Sequence, residues 1–367
     1  MTKKTGFKDT LLGMLISNVV PILFIFLIVL AIPLSGYSAK YLIGEITTRV
    51  SRDSFLVLSL LFPIMAGMGL NFGMSLGALS GQIGIILITN WGVKGVAGVF
   101  LAMAVSTPVA VLVGWLAGLV LNRVKGREMV TSLMLGYFSV GIYELIVMYV
   151  MGKIIPISNP AILLSRGYGI RNNFDLEGIR QSLDRFIPLK IATIPIPVFT
   201  FIIIALACLF IWWFRKTKLG HDMRAIAGGM GVSEDSGIKV ERTRIIAVIL
   251  STLFAAYGQI IFLQSIGTLN TYNSADQTAL FAVAALLIGG AAVSRASIPN
   301  VFLGLILFHL MFIISPLAGK QLMGSAMIGE YFRVFISYGV IALALTLYAW
   351  KRLKERARAR RSLHDTI

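Results

Sequence analysis

A chain of 367 residues that is 57% hydrophobic and 13% charged, with a mean hydropathy of +0.85, is not a string of soluble domains, since those carry about a quarter of their residues as charges. The net charge of +17 does not point to nucleic acid, because the cations sit between apolar runs and no basic surface is interleaved with stacking aromatics. A single Cys208 excludes an intrachain disulfide, and three scattered histidines outside any cluster with metal-ligand spacing lead us to expect no metal and no cofactor.

Along the chain, Lys3, Lys4 and Lys8 precede an apolar run from Leu11 to Leu34. That run is longer than a secretory h-region and no small-x-small cleavage site follows it, so it reads as a retained first span oriented by the lysines. Runs long enough for a helical crossing then follow at 55–70, 75–91, 93–121, 129–151, 191–214, 243–266, 278–293, 298–317 and 331–350. The expected fold is an all-α, polytopic membrane helix bundle of about ten spans, one transmembrane domain over 1–367. Glycine and asparagine interrupt 55–121, and 278–293 is short enough to be tilted or broken. With ten spans and the N-terminus inside, both termini are cytoplasmic, including a basic tail at 351–367. The cytoplasmic segments then hold 21 of the 33 Lys and Arg residues, as the positive-inside rule expects. Six of the remaining cations fall in 152–190, a segment too long to weigh in that rule.

That 152–190 segment mixes Asp175, Glu177 and Asp184 with Arg171, Arg180 and Arg185, flanked by prolines. It reads as a small external cap with a short helix around Leu176–Arg185. Gly77-x-x-x-Gly81 and Gly114-x-x-x-Gly118 place small residues one turn apart on two spans, a pattern that lets helix backbones approach closely.

The segment 215–244 is basic, glycine-punctuated and too long for a mere connector. Leu219, Met223 and Ile226 share one face of a short helix, and Thr217 is placed to cap it. Gly228 and Gly229 break that helix. A second turn over Met230–Ser236 ends at Gly237, which suits the left-handed position after a helix. The result is a two-helix knob on the cytoplasmic membrane surface whose apolar stripe needs covering, by lipid or by a protein partner.

From Gly220 through Val240, and on through Arg242 into a span with Ser251, Ala255, Ala256 and Gly258, the chain resembles the coupling region of ABC-importer permeases of the simple-sugar, nucleoside and branched-chain amino acid branch. Gly220, Ala225, Gly228, Gly237, Ile238 and Val240 match the pattern without a gap. Its usual Asn is replaced by Gly229, and its Glu-Ala-Ala-like turn by Met230, Gly231 and Val232. Met129–Tyr137 and Leu286–Ala292 with Ser294 resemble two further patches of the nucleoside and simple-sugar members. The resemblance implies a permease subunit whose ATPase contact falls on Leu219, Gly220, Met223, Ala225, Ile226, Gly228–Val232, Gly237 and Ile238. It implies as partners a cytoplasmic ATP-binding cassette subunit, a second permease subunit (the same or different) and an external substrate-binding protein, for a small solute crossing the bacterial cytoplasmic membrane. The chain has no G-x-x-x-x-G-K-[ST] phosphate loop, so the nucleotide chemistry falls to another subunit.

Polar groups inside spans are costly and become pathway candidates. They are Asn71, Gln82, Glu144, Gln259, Gln264 and His309. Neutral amides beside aromatic residues suit a polyhydroxylated or heterocyclic solute. Glu144, the acidic residue well inside a span, keeps an ion-coupled secondary transporter as the alternative function. An enzyme would require a convergent acid, base and nucleophile, and none is apparent.

Overall fold

The structure is a computed structural model that describes residues 19–335, apart from 192, 193 and 326, together with 338, 339, 341, 342 and 346. The expectations for Lys3, Lys4, Lys8, the start of the first span, parts of the 331–350 span and the tail at 351–367 lie outside the described residues. The helices are α1 (Val19–Ser35), α2 (Ala39–Ser59), α3 (Leu61–Met65), α4 (Ser75–Asn90, preceded by a 3-10 turn at Phe72–Met74) and α5 (Gly95–Arg123). They continue with α6 (Glu128–Leu145, extended by a π turn to Val150), α7 (Val198–Phe214), α8 (Lys218–Gly228), α9 (Met230–Asp235), α10 (Val240–Ile266), α11 (Thr278–Ile288) and α12 (Ile298–Met323). Two antiparallel ribbons complete the list: β1 (Asn173–Asp175) with β4 (Thr268–Asn270), and β2 (Pro188–Ile191) with β3 (Ile194–Pro197).

By length and composition, five helices among the described residues are able to cross a membrane, and six if α7 and α8, bent by 71°, count as one broken span. The helical, polytopic architecture is as expected. α11 is apolar but short, and α1 is apolar over its 17 described residues. α2 begins well before the expected boundary at 55, because Lys40, Glu45, Arg49, Arg52 and Asp53 hide its first half from a hydropathy reading. Four of those charges are absorbed locally, by a Glu45–Arg49 pair at 3.2 Å, an Arg52–Asp53 pair at 3.5 Å and Arg52 lying over the Phe262 ring at 5.0 Å.

The chain divides into two compact units. One comprises residues up to Ser38 and from Ala284 onward, and the other spans Ala39–Val283. In the first, α12 packs along α1. Its start is set by a capping box in which Ser297 and Asn300 serve each other, while Asn300 Nδ2 also donates to the Gly289 carbonyl at 2.7 Å. In the second unit α10 is the central helix, packed against α5, α4 and α2. The glycine motifs explain how three backbones meet. A Cβ on Gly81 would lie 2.5 Å from the Ala256 carbonyl oxygen, and one on Gly114 would lie 2.1 Å from Thr252 Oγ1.

α5 gives the larger unit its two ends. Its first residue donates from its backbone N–H to the Gly178 carbonyl, and near its other end Asn122 Nδ2 donates to the Glu241 carbonyl at 2.8 Å. A helix of 29 residues is about 43 Å long. The 151–197 segment therefore marks a cap end, and the 215–240 segment a basic end. The expected helix at Leu176–Arg185 is absent: this stretch is a run of turns, with Gln181 in the left-handed region at φ 51°. Its backbone bonds to neighbours instead, Leu176 N–H to the Gly267 carbonyl and Gln181 N–H to the Gln264 carbonyl. Isolated local turns remain, such as Arg180 N–H to the Leu176 carbonyl and Arg185 N–H to the Gln181 carbonyl, and the long-range bonds interrupt them before a continuous i→i+4 ladder forms.

Overpacking a core costs about 1–3 kcal/mol, and more where backbone is the obstacle. Gly81→Leu should therefore abolish recovery of monodisperse protein in detergent. Gly141→Leu, on α6 with nothing within 4 Å of the added Cβ, should be recovered normally; size-exclusion profiles of the two variants check this.

Candidate functional site

At the basic end the chain turns sharply from α7 into α8. Gly220 permits the turn, since a Cβ there would lie 2.2 Å from the Phe214 carbonyl oxygen. Thr217 caps α8, its Oγ1 accepting from the Gly220 N–H at 3.3 Å. α8 stops at Gly228, α9 occupies Met230–Asp235, and Gly237 takes φ +78°. Helix, break, short helix and left-handed glycine all fall where the sequence spacing puts them.

The apolar stripe of α8 does not face outward as expected. Met223 is 0% and Ile226 2% exposed, while Leu219 is 37% exposed. The bend folds α8 back so that it packs on α10 and α3; the protein itself covers the stripe. Gly67, in the break after α3, lies so close to α8 that a Cβ there would meet the Ala227 Cα at 2.9 Å. The knob presents to solvent Ala225, Gly228, Gly231, Gly237 and above all Val232, at 74% exposure, together with the polar and charged His221, Arg224, Glu234, Asp235 and Ser236. Gly229, Met230 and Ile238 are half-buried and Gly220 is buried.

Of the polar candidates, Asn71 belongs to the break between α3 and α4. Its Oδ1 caps the 3-10 turn by accepting from Gly73 N–H at 3.0 Å, and its Nδ2 donates to Ser251 Oγ of α10 at 3.3 Å. Ser132 of α6 accepts from Phe72 N–H at 3.1 Å. Buried non-helical backbone is satisfied here by Asn71 of the break itself and by Ser132 of α6, with Ser251 of α10 holding the asparagine in place, as buried irregular backbone requires.

Gln82 and Gln259 are brought together by a second irregular segment, 267–277, between α10 and α11. With its amide oriented to satisfy its neighbours, Gln82 donates to Tyr143 Oη at 2.8 Å and to the Thr271 carbonyl at 3.3 Å, and accepts from Ala275 N–H at 3.3 Å. Gln259 Nε2 donates to the Ser274 carbonyl at 3.1 Å, while its Oε1 is buried with no partner among the described residues. Gln259 stands about two turns before the end of α10, so this loop folds back towards the bundle interior. The cap holds it from the other side: Thr271 N–H donates to the Asn172 carbonyl at 2.7 Å, and Tyr272 Oη to the Ile170 carbonyl at 3.1 Å.

Gln264 serves the cap and stands apart from this cluster. It accepts from Leu183 N–H at 3.3 Å and donates to Asp184 Oδ2 at 3.2 Å, and Thr200 donates to the other Asp184 oxygen at 2.7 Å. Glu144 is half-buried on α6 and takes part in none of the ion pairs found among the described residues. His309 lies in the smaller unit, 5% exposed, with its ring edge-on to Phe308. The sequence reading missed Tyr143, Thr271 and Ser274, which carry no signal of their own, and it missed the buried pair of Glu128 with Arg244. Arg244 had a signal: it is a cation just inside an expected span.

Residues 42–345 match the family model described as the branched-chain amino acid transport system permease component. The chain belongs to that family. Similar proteins include the probable ABC transporter permease protein YphD of Escherichia coli, 33% identical over 32% of this chain and 35% of the relative. The xylose transport system permease protein XylH of Haemophilus influenzae is 32% identical over 28% of this chain and 26% of its own length. The galactose/methyl galactoside import permease protein MglC of the same organism is 28% identical over 41% and 44%. Each match spans less than half the length of the relative. No solved structure matches. Family membership and the apolar helices make this permease-family chain a multi-pass membrane protein of the bacterial inner membrane.

Losing a buried hydrogen-bonding partner costs about 1–3 kcal/mol. Gln264→Leu should loosen the 176–185 turns, and trypsin should then cleave at Arg180 and Arg185 several-fold faster than in the parent protein; unchanged cleavage contradicts the anchoring role.

Proposed function

We propose that the chain is the permease subunit of an ABC importer that carries a sugar or related polyhydroxylated solute, driven by a separate ATPase. The observation that carries this reading is the exposed surface of the knob. Gly228, Gly231, Gly237 and Val232 are all exposed on a short two-helix element that is itself braced against the bundle. A rigid element with a small-residue face suits a protein partner that delivers a push, better than it suits lipid, for which the apolar side should face outward. In this reading the chain has ten spans with both termini cytoplasmic, α2 with α3 counting as one crossing and α11 as a short one. The partners are a cytoplasmic ATP-binding cassette subunit, a second permease subunit and an external substrate-binding protein docking at the cap end.

The solute class rests on the uncharged character of the Gln82, Tyr143, Gln259, Thr271 and Ser274 cluster, which offers amides and hydroxyls to a polyhydroxylated ligand and no fixed charge to an ion. Xylose and galactose in the names of two relatives agree with that class. Glu144, on the sparsely buried α6, is costly against lipid, which favours a place facing the pathway or the second permease subunit. An ion-coupled transporter, the alternative, draws on Glu144 alone.

Exposed valine at the centre of a docking patch makes a direct test. Val232→Asp should leave the bundle intact and reduce recovery of the ATPase on affinity purification by about tenfold or more, with solute uptake lost in step. Full uptake and normal ATPase recovery by Val232→Asp would sink the assignment of this surface.

A further inference from the structure

The buried ion pair of Arg244 and Glu128 lies beneath the knob and is not explained by the docking surface. Arg244, in the second turn of α10, is 0% exposed and is among the largest fully buried side chains of the described residues. Its Nη2 bonds Glu128 Oε1 at the first residue of α6. The other carboxylate oxygen accepts from Gly126 N–H at 2.8 Å in the α5–α6 turn. Its Nη1 reaches the Met230 sulfur at 3.4 Å, at the first residue of α9. One guanidinium on the central helix therefore touches two other segments, the start of α6 and the knob, and Glu128 ties in the α5–α6 turn. A rim of weaker contacts follows the same path, with Lys125 paired to Glu234 at 3.4 Å and Asn122 bonded to the Glu241 carbonyl.

As a stabilising brace this arrangement is poor. A buried pair repays its desolvation only when its remaining donors are satisfied. Here Arg244 Nε has no partner among the described residues, and Nη1 faces a thioether, a weak acceptor. A hydrophobic contact would hold the helices at least as well. What the charged pair adds is sensitivity to geometry: a planar fork loses its bonds when its partner shifts by about an ångström.

Resting on the permease reading above, we propose that Arg244 and Glu128 are positioning residues for energy coupling. They register where α9 stands, through Met230, and pass its displacement to α6 and α10, which carry Tyr143 and Gln259. Neither residue touches nucleotide or solute.

The test uses the complete transporter, purified with its ATPase in lipid vesicles, with uptake and ATP hydrolysis measured on the same preparation. The double variant Glu128→Gln/Arg244→Met removes both charges at similar volume, a change that buried pairs commonly tolerate in folding. It should retain the ATPase and melt at or above the parent temperature, while solute moved per ATP falls about tenfold or more. Arg244→Lys, which keeps the charge and loses the fork, should give an intermediate ratio. A parent-like ratio in the double variant overturns the proposal. Should that variant fail to fold, Met230→Ala decides, since it leaves the pair and cuts its link to the knob: a lowered ratio supports the role and an unchanged ratio overturns it. Uptake by the parent complex without ATP would instead overturn the permease reading itself, whatever the variants do.

Discussion

Close approach of three backbones around α10 is the constraint on which the larger unit depends. Gly77 and Gly81 on α4, Gly114 and Gly118 on α5, and Gly258 on α10 itself leave no room for side chains where these helices meet. In hydrocarbon, burial supplies no driving force between apolar helices, so close van der Waals contact must. Because α10 is gripped along its length, its two ends are mechanically joined. Arg244 beneath the knob and Gln259 beside the re-entrant loop are 15 residues apart on one continuous helix, about 22 Å.

Two irregular segments flank that helix, and neither is a simple hairpin. The break at 66–74 lies against α8, and the loop at 267–277 lies under the cap. Each carries backbone groups that water cannot reach and that specific side chains satisfy: Asn71 and Ser132 for the first, Gln82 and Gln259 for the second. The amides that look like solute ligands in the sequence therefore have a structural task, holding non-helical backbone in place. A segment held by a few side-chain bonds rearranges more readily than a helix, which suits a pathway that must open on alternate sides.

Much of this is legible in the residues. Hydropathy locates the apolar helices, and glycine spacing locates the knob, its break at Gly228 and its end at Gly237, because these features are local. The direction of the α8 stripe was not legible. Leu219, Met223 and Ile226 look alike whether they face a partner or the protein's own core, and only the bend at Gly220 decides it. The 176–185 turns were misread as a helix for a similar reason, since pairing with α10 residues far along the chain overrides local preference. The start of α2 escaped notice because its charges pair with one another and with the Phe262 ring, and hydropathy counts such residues as if they were exposed.

The central claim is that energy enters through the knob from an ATPase and not through an ion gradient. Uptake of a labelled pentose or hexose should be measured in vesicles containing the purified complex, with ATP and a proton gradient supplied separately. Uptake with ATP alone, unaffected by an uncoupler, is the expected result. Uptake that follows the proton gradient with ATP absent, and is lost in Glu144→Gln, would contradict it.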